Sequence, residues 1–294
     1  MAETNDQKIQ PIIVIVGQTA SGKSALSMRA AELFNGEIIC ADSRTVYKDM
    51  DLGTAKPTVE DRYRVPHHGL DLIEPTEYFS AAAFKRYANQ AVLDIRSRNH
   101  IPFIVGGTGL YVDGFVYDFD FAEQADRSLR AELEALSLDD LQVRATELGI
   151  TETDIDFKNH RHLSRAVERG GVTISRQPKP QNVLLLGIQL EREVLLERIA
   201  QRVDTMFDNG FTDEVQKLIN SYGTDAPGLL APGYKAVSQY LAGQITLDEA
   251  KELFIRSDKY LAKRQLTWFK RNKDIIWVQS EEQAIELMSD FVQV

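Results

Sequence analysis

The chain has 294 residues, 43% of them hydrophobic, and a formal net charge of −10 at pH 7. That length suffices for one large α/β domain plus an insertion, while the lack of a bilayer-length apolar run and of a secretory N-terminus leads us to expect a cytoplasmic protein. The acidity argues against indiscriminate nucleic-acid binding, and Cys40, the single cysteine, excludes an internal disulfide, a multi-cysteine zinc site and a cysteine-ligated iron–sulfur cluster, leaving oxygen ligands for any metal.

Met1 to Gln10 is polar and reads as an irregular lead-in. The β-branched run Pro11–Val16 then reads as a buried strand, followed by Gly17-Gln18-Thr19-Ala20-Ser21-Gly22-Lys23-Ser24 and a helix-prone segment from Ala25 to Leu33. Strand, glycine-bounded loop and helix together form a phosphate loop. Backbone N–H groups turn inward around an anion, Lys23 reaches its outer oxygens, and the Ser24 hydroxyl suits a Mg²⁺. Nothing in the loop alone says which phosphate it holds. A second strand, Glu37–Ala41, ends at Asp42-Ser43-Arg44, which a parallel sheet would place beside the loop. Asp42 is there a base or metal ligand, or the cap of a helix starting at Ser43. Tyr47–Pro57 reads as loop, and Val65–Ile73 as a short strand with adjacent His67 and His68. Such neighbours point apart in a strand, so a two-histidine metal site is not expected. A helix from the Ser80 cap to Arg98 leads into strand Ile101–Val105, which ends in the glycine-rich turn Gly106–Tyr111.

From about Asp113 the pattern becomes helical: Asp126–Leu136, Leu138–Leu148 stopped by Gly149, and Lys158–Arg169, which sets Arg161, Arg165 and Arg169 on one face. The sheet resumes at Asn182–Ile188. A helix carrying Arg192, Arg198 and Arg202 follows, then a turn-rich loop, Ala226–Lys235, and a helix from Leu247 to Arg271. On that helix Arg256, Lys259, Lys263 and Lys270 form a basic stripe, against Phe254, Leu261 and Trp268 as its core stripe; Ile275–Val278 closes the sheet. In an acidic protein the basic stripe suggests polyanion contact, with a solvated face as the plain alternative. The pattern predicts an α/β fold, a P-loop NTPase-like parallel sheet flanked by helices, with residues 1–112 and 182–294 as core and 113–181 as an all-helical insertion.

Several separated blocks resemble one family, the tRNA dimethylallyltransferases or isopentenyl-transferases, in their bacterial form without a zinc finger. They are Gly17–Ser24, Ala41–Arg44 through Tyr47 to Pro57, Val65–His68, Val105–Tyr111, Leu163–Glu168, Gly233–Lys235 and Ala262–Phe269. Gln18 departs from the family's usual proline, Thr45 from its glutamine or leucine, and Asp156–His160 from its Ile-His-Pro-Asn-Asp-like run. The resemblance implies transfer of a dimethylallyl group from dimethylallyl diphosphate to N6 of the adenosine 3′ to the anticodon, position 37 of tRNA. The phosphate loop would then hold the diphosphate, with Lys23, Thr19, Arg202 and Mg²⁺ on Ser24 stabilising it as it leaves. Asp42 would accept the N6 proton and Thr108 would position the reacting groups. It implies contact with the anticodon stem-loop through Asp42, Ser43, Arg44, Thr45, Thr108, Arg130, Arg161, His162, Leu163, Ser164, Arg165, Gly233, Tyr234, Lys235, Lys259 and Lys263, by a monomer. A small-molecule kinase using ATP, an adenylate isopentenyltransferase and a non-catalytic RNA-binding regulator are the alternatives.

Overall fold

The computed structural model describes residues 10–121, 127–153, 155–172 and 175–293, so the lead-in to Ile9 and the helix start at Asp126 lie outside the described residues. Strand β1 (Ile12–Gly17) is buried at every position. A fully buried valine or isoleucine contributes about 1.5–3 kcal/mol over an exposed one, so a β-branched run of this kind is most stable as a central strand covered on both faces. The loop passes into α1 (Lys23–Leu33), whose N-cap Gly22 has φ 94°, a left-handed conformation that glycine adopts without strain. Then come β2 (Gly36–Cys40), α2 (Val59–Arg64) with a Thr58 capping box, β3 (His67–His68), α3 (Ala81–Ser97) capped by Ser80, β4 (Ile101–Gly106) and α4 (Gly109–Val116).

Among the described residues the chain divides into two compact units, Met1–Val116 with Lys179–Val294, and Tyr117–Pro178. The second unit contains α5 (Arg127–Ala135), α6 (Leu138–Glu147) and α7 (His160–Glu168) around Leu133, Leu141, Ala145, Ile150, Leu163 and Ala166. Gly149 has φ 73° and turns the chain after α6.

The first unit resumes with β5 (Val183–Ile188), α8 (Arg192–Asp208), α9 (Phe211–Tyr222), a 3₁₀ turn (Pro227–Leu230), α10 (Pro232–Leu241), α11 (Leu247–Phe269), β6 (Ile276–Val278) and α12 (Glu281–Gln293). The six strands are parallel in the order β3-β2-β4-β1-β5-β6. The chain leaves β1 in one direction for β2 and β3, and later in the other for β5. That reversal opens a crevice at the carboxyl ends of the central strands, where the phosphate loop lies.

Four local expectations are corrected. The turn after β4 is short, because Gly109 already begins α4. Residues 226–235 are not a loop but the 3₁₀ turn and the start of α10, since Pro227 and Pro232 occupy first-turn positions where a missing N–H costs nothing. No helix begins at Ser43; Asp42 Oδ1 instead accepts the Arg44 N–H at 2.8 Å. On α11 the buried seam is Ala250, Phe254, Asp258, Ala262, Gln265 and Phe269, rotated from the expected one, so Trp268 remains 37% exposed.

Candidate active site

At the carboxyl edge of the sheet a cavity of about 880 Å³ is lined by the phosphate loop, the segment after β2, the turn after β4, residues 53–57, α8 and α11. Its construction begins with the loop. Lys23 Nζ donates to Gln18 O at 2.5 Å, folding the side chain across the loop. Burial pushes the Lys23 ammonium down to about 8, against the pull of Asp42 and with a further push from Arg202. An anion in the loop would push it back up towards its ordinary value, which makes this lysine a sensitive anion contact.

The loop is fastened from α11. Gln18 Nε2 donates to Ala262 O at 3.1 Å, and the Thr19 N–H donates to Gln265 Oε1 at 2.7 Å. Gln265 Nε2 in turn donates to Gly107 O at 3.1 Å, so a single buried amide ties the phosphate loop to the turn after β4. A Cβ at Gly107 would lie 2.2 Å from that amide nitrogen, which explains the glycine. The glutamine at position 18, a departure from the family pattern, therefore supplies an extra strap to α11.

Asp42 stands past the end of β2. The Ser43 N–H donates to Thr108 Oγ1 at 3.0 Å, and the Thr108 N–H to Ala41 O at 3.2 Å, which joins the two strand ends. Since Thr108 Oγ1 accepts from Ser43, its own proton is available to another acceptor. Across the cavity Arg202 on α8 lies 3.6 Å from Asp258 Oδ2 on α11. Burial raises the Asp258 carboxyl above its usual range, as does Asp42, while Arg202 opposes the shift.

The wall at residues 51–57 is held by two further charges. Glu214 on α9 accepts the N–H groups of Asp51, Leu52 and Gly53 at 3.0, 2.6 and 3.2 Å, and the Tyr234 hydroxyl at 2.6 Å. Buried Lys56 donates to Tyr47 O, Asp51 and Asp71 at 2.6, 2.8 and 2.5 Å. Asp258, Gln265, Glu214 and Lys56 had not been singled out from the sequence, although Gln265 and Lys56 fall within the blocks that carried the resemblance.

The structure thus brings Thr19 to Ser24, Asp42 to Thr45, Thr108, Arg202, Gly233 and Tyr234 to the lining of one cavity. Gly17 and Gln18 support the loop from behind. Tyr234 is 1% exposed, and its hydroxyl is engaged by Glu214. Lys235, Lys259 and Lys263 are exposed on α10 and α11, outside the lining. In the helical unit Arg161 and His162 are exposed, whereas Leu163 and Ser164 are interior residues and do not offer the surface expected of them. Arg165 and Arg130 both pair with Glu168, whose side chain is buried, and Arg165 also pairs with Glu134. Arg169 donates to Val172 O. The expected row of three arginines is therefore largely turned to internal pairing.

For a Mg²⁺ the cavity offers hard oxygen donors in the Ser24 hydroxyl and the Asp42 carboxylate. This set fits an ion that takes one or two protein oxygens and fills its shell with water and phosphate oxygens.

Comparison with known proteins agrees with this architecture. The family model described as IPP transferase matches residues 45–272. A tRNA dimethylallyltransferase of Staphylococcus saprophyticus is 39% identical over 96% of both chains, and one of Bacillus licheniformis is 41% identical over 91% of this chain and 90% of its own. The solved tRNA isopentenylpyrophosphate transferase of Bacillus halodurans is 35% identical, covers 97% of both chains and superimposes with a TM-score of 0.75. A eukaryotic dimethylallyltransferase acting on tRNA shares the fold, with a TM-score of 0.81 at 24% identity over 97% of this chain and 80% of its own. A match that spans most of the sequence, together with a phosphate loop built into a parallel sheet, places the chain in the IPP transferase family.

Proposed function

We propose that the chain transfers a dimethylallyl group from dimethylallyl diphosphate to N6 of adenosine 37 of tRNA, releasing diphosphate. The observation that carries this reading is that Lys23, Arg202 and Asp42 share one cavity with an apolar wall that includes Met28, Ile38, Val105 and Pro57. Its volume of about 880 Å³ falls within the range of small-molecule sites. The adenine amine is a weak nucleophile, so rate must come from holding it against the allylic carbon while charge builds on the leaving diphosphate. The loop N–H groups, Lys23, Thr19 and Arg202 receive that charge. A Mg²⁺ held by Ser24 together with the diphosphate would supply further charge neutralisation. The Thr108 hydroxyl orients the incoming base, and Asp42 takes the proton that N6 loses as the N–C bond forms.

A base within a structured anticodon loop reaches such a cavity only when it is extruded, so backbone contacts must hold the stem-loop around it. The exposed cations Arg161 on the helical unit and Lys235, Lys259 and Lys263 on the sheet unit, with exposed His162, are the groups we assign to this task. We read the working unit as a monomer. No described helix is long and apolar enough to cross a membrane, and a tRNA substrate is in keeping with a cytoplasmic site of action.

The test is to incubate the chain with unmodified tRNA, dimethylallyl diphosphate and Mg²⁺, without ATP, and to weigh the digested nucleosides. A gain of one five-carbon unit on adenosine 37, abolished by Lys23→Ala, is expected. Gain of a phosphate, or a requirement for ATP, would replace this reading with the kinase. Prenylation of AMP in preference to tRNA would replace it with an adenylate enzyme.

A further inference from the structure

Among the described residues, three polar atoms of the cavity residues are shielded from solvent and lack a hydrogen-bond partner: Ser21 Oγ, Arg202 Nε and Asp258 Oδ2. The first two belong to groups already assigned to the diphosphate, whereas Asp258 has no place in that scheme. Its side chain is 9% exposed, and its Oδ2 lies 3.6 Å from Arg202 Nη2, close enough for an ion pair but beyond a hydrogen bond. A buried carboxylate held this loosely does not repay its desolvation, so stability does not account for it.

Packing sets the two charges against one another. Leu195 and Ile199 of α8 meet Ala262 of α11 in a small apolar cluster. Arg202 lies one turn beyond Ile199, and Asp258 one turn before Ala262. Among the charges that line the cavity, Lys23 and Arg202 thereby stand with the carboxylates Asp42 and Asp258. The phosphate loop binds Lys23 through Gln18 O, but among the described residues Arg202 has only its loose contact with Asp258.

We propose that Asp258 is a positioning residue for Arg202. It is the counter-charge that keeps the guanidinium at the cavity wall in the free site and yields it to the diphosphate when that anion enters. This rests on the reading of Arg202 as a diphosphate contact. Because drawing Arg202 away from Asp258 opposes binding, Asp258 weakens the grip on the diphosphate, which is also the product that must leave.

The experiment is calorimetric titration of the full chain with inorganic pyrophosphate in the presence of Mg²⁺. It is run on the unaltered protein, D258N, R202A, the double variant and D258E. D258N keeps the shape and removes the charge, so it should bind pyrophosphate about tenfold more tightly. In the R202A background the same change should leave affinity within about twofold, and D258E should return it close to that of the unaltered chain. Equal affinities of D258N and the unaltered chain would overturn the proposal. So would a tenfold gain that persists without Arg202, since Asp258 would then repel the anion directly. If D258N does not fold, as read by its melting transition, D258S carries the same expectations. Failure of the unaltered chain to bind pyrophosphate would remove the diphosphate reading itself, an outcome distinct from either of these.

Discussion

Two groups of buried charge sit at opposite edges of the same sheet, and they are built in opposite ways. Near the amino edge, Glu37 of β2 accepts from Arg98 Nε and Nη2 at 2.9 and 2.7 Å, and its oxygens lie 2.6 Å from both His68 Nε2 and His100 Nδ1. At the carboxyl edge, beside Lys23 and Asp42, Arg202 Nε and Asp258 Oδ2 are buried without hydrogen-bond partners among the described residues, and Arg202 stands 3.6 Å from its carboxylate. A saturated cluster has nothing left to offer a ligand, and its return is stability. An unsaturated one costs stability, and persists where a ligand completes it. Of the adjacent His67 and His68, for which the sequence speaks against a shared metal, His68 falls on the saturated side and faces Glu37, whereas His67, whose Nδ1 lies 2.7 Å from Val65 O, lines the cavity.

The largest expected effect follows from breaking the saturated cluster. Replacing Glu37 by glutamine leaves the half-exposed Arg98 beside a neutral amide and should lower stability by up to about 3 kcal/mol at neutral pH, read from urea midpoints. The sign of its pH dependence is fixed. Burial pushes the Glu37 carboxyl up, but Arg98, His68 and His100 outweigh burial and hold it at about 2, against 4.5 unperturbed. Its contribution is therefore complete above about pH 4.5 and is lost as pH falls towards 2, on the order of 3 kcal/mol in all. The stability gap between the unaltered chain and E37Q should close across that window. A gap that stays constant from pH 6 to pH 3 would show that ionisation of Glu37 is not what stabilises the edge.

At Asp42 the effect should appear in rate and hardly at all in stability. Asp42→Asn removes the proton acceptor while preserving the contact to Arg44, and prenyl transfer should fall by about 10² or more. The melting temperature and tRNA affinity should change little. A single-turnover assay with bound tRNA separates these quantities. Near-normal transfer would return Asp42 to a turn residue.

Breaking Gln265 sharpens the comparison from another side, because it is a satisfied group that serves the unsatisfied cluster. Gln265→Leu leaves the Thr19 N–H and Gly107 O without their partner and lets the phosphate loop shift against the turn after β4. We expect a rise of about tenfold in the donor KM with a smaller fall in kcat, on the scale of about 1–3 kcal/mol for an unmade buried hydrogen bond. A change in kcat alone would place its effect on the reacting groups and not on the loop.

How far each cluster was legible in the sequence depends on distance along the chain. The phosphate loop could be read because strand, glycines, lysine and helix are contiguous, and Asp42 because it ends an evident strand. Asp258 and Gln265 were hidden because a search of α11 for apolar periodicity passes over polar residues in a buried seam. Glu214 lies on α9, where the spacing of Phe211, Val215 and Leu218 after Gly210 marks the apolar face of a helix and says nothing of the glutamate beside it. The prolines at 227 and 232 read as breakers although both begin helical turns. The Glu37 cluster joins β2, β3 and the end of α3, and no local pattern announces a contact between residues so far apart.

The smallest effect concerns the surface cations, where the two units differ. In the helical unit Arg130 and Arg165 are tied to Glu168, so their charge is already balanced, while Arg161 and His162 are exposed. On α11 both Lys259 and Lys263 are exposed. Each cation that touches an RNA phosphate releases counterions on binding, so replacing it should flatten the dependence of log affinity on log salt by somewhat less than one unit. We expect Lys259→Gln and Lys263→Gln each to reduce the slope of tRNA binding by about 0.7, and Arg161→Gln to do the same. Arg130→Gln should act differently, lowering the stability of the helical unit by freeing Glu168 from one partner while leaving the salt slope of the folded protein nearly unchanged. Filter binding over a range of potassium chloride concentrations measures the slope. A slope unchanged by the α11 and Arg161 substitutions would mean that these are merely solvated helix faces. A slope lowered as much by Arg130→Gln would mean that RNA binding breaks its pair with Glu168, and that the paired cations of the helical unit, like Arg202 in the cavity, are held in place only until a polyanion arrives.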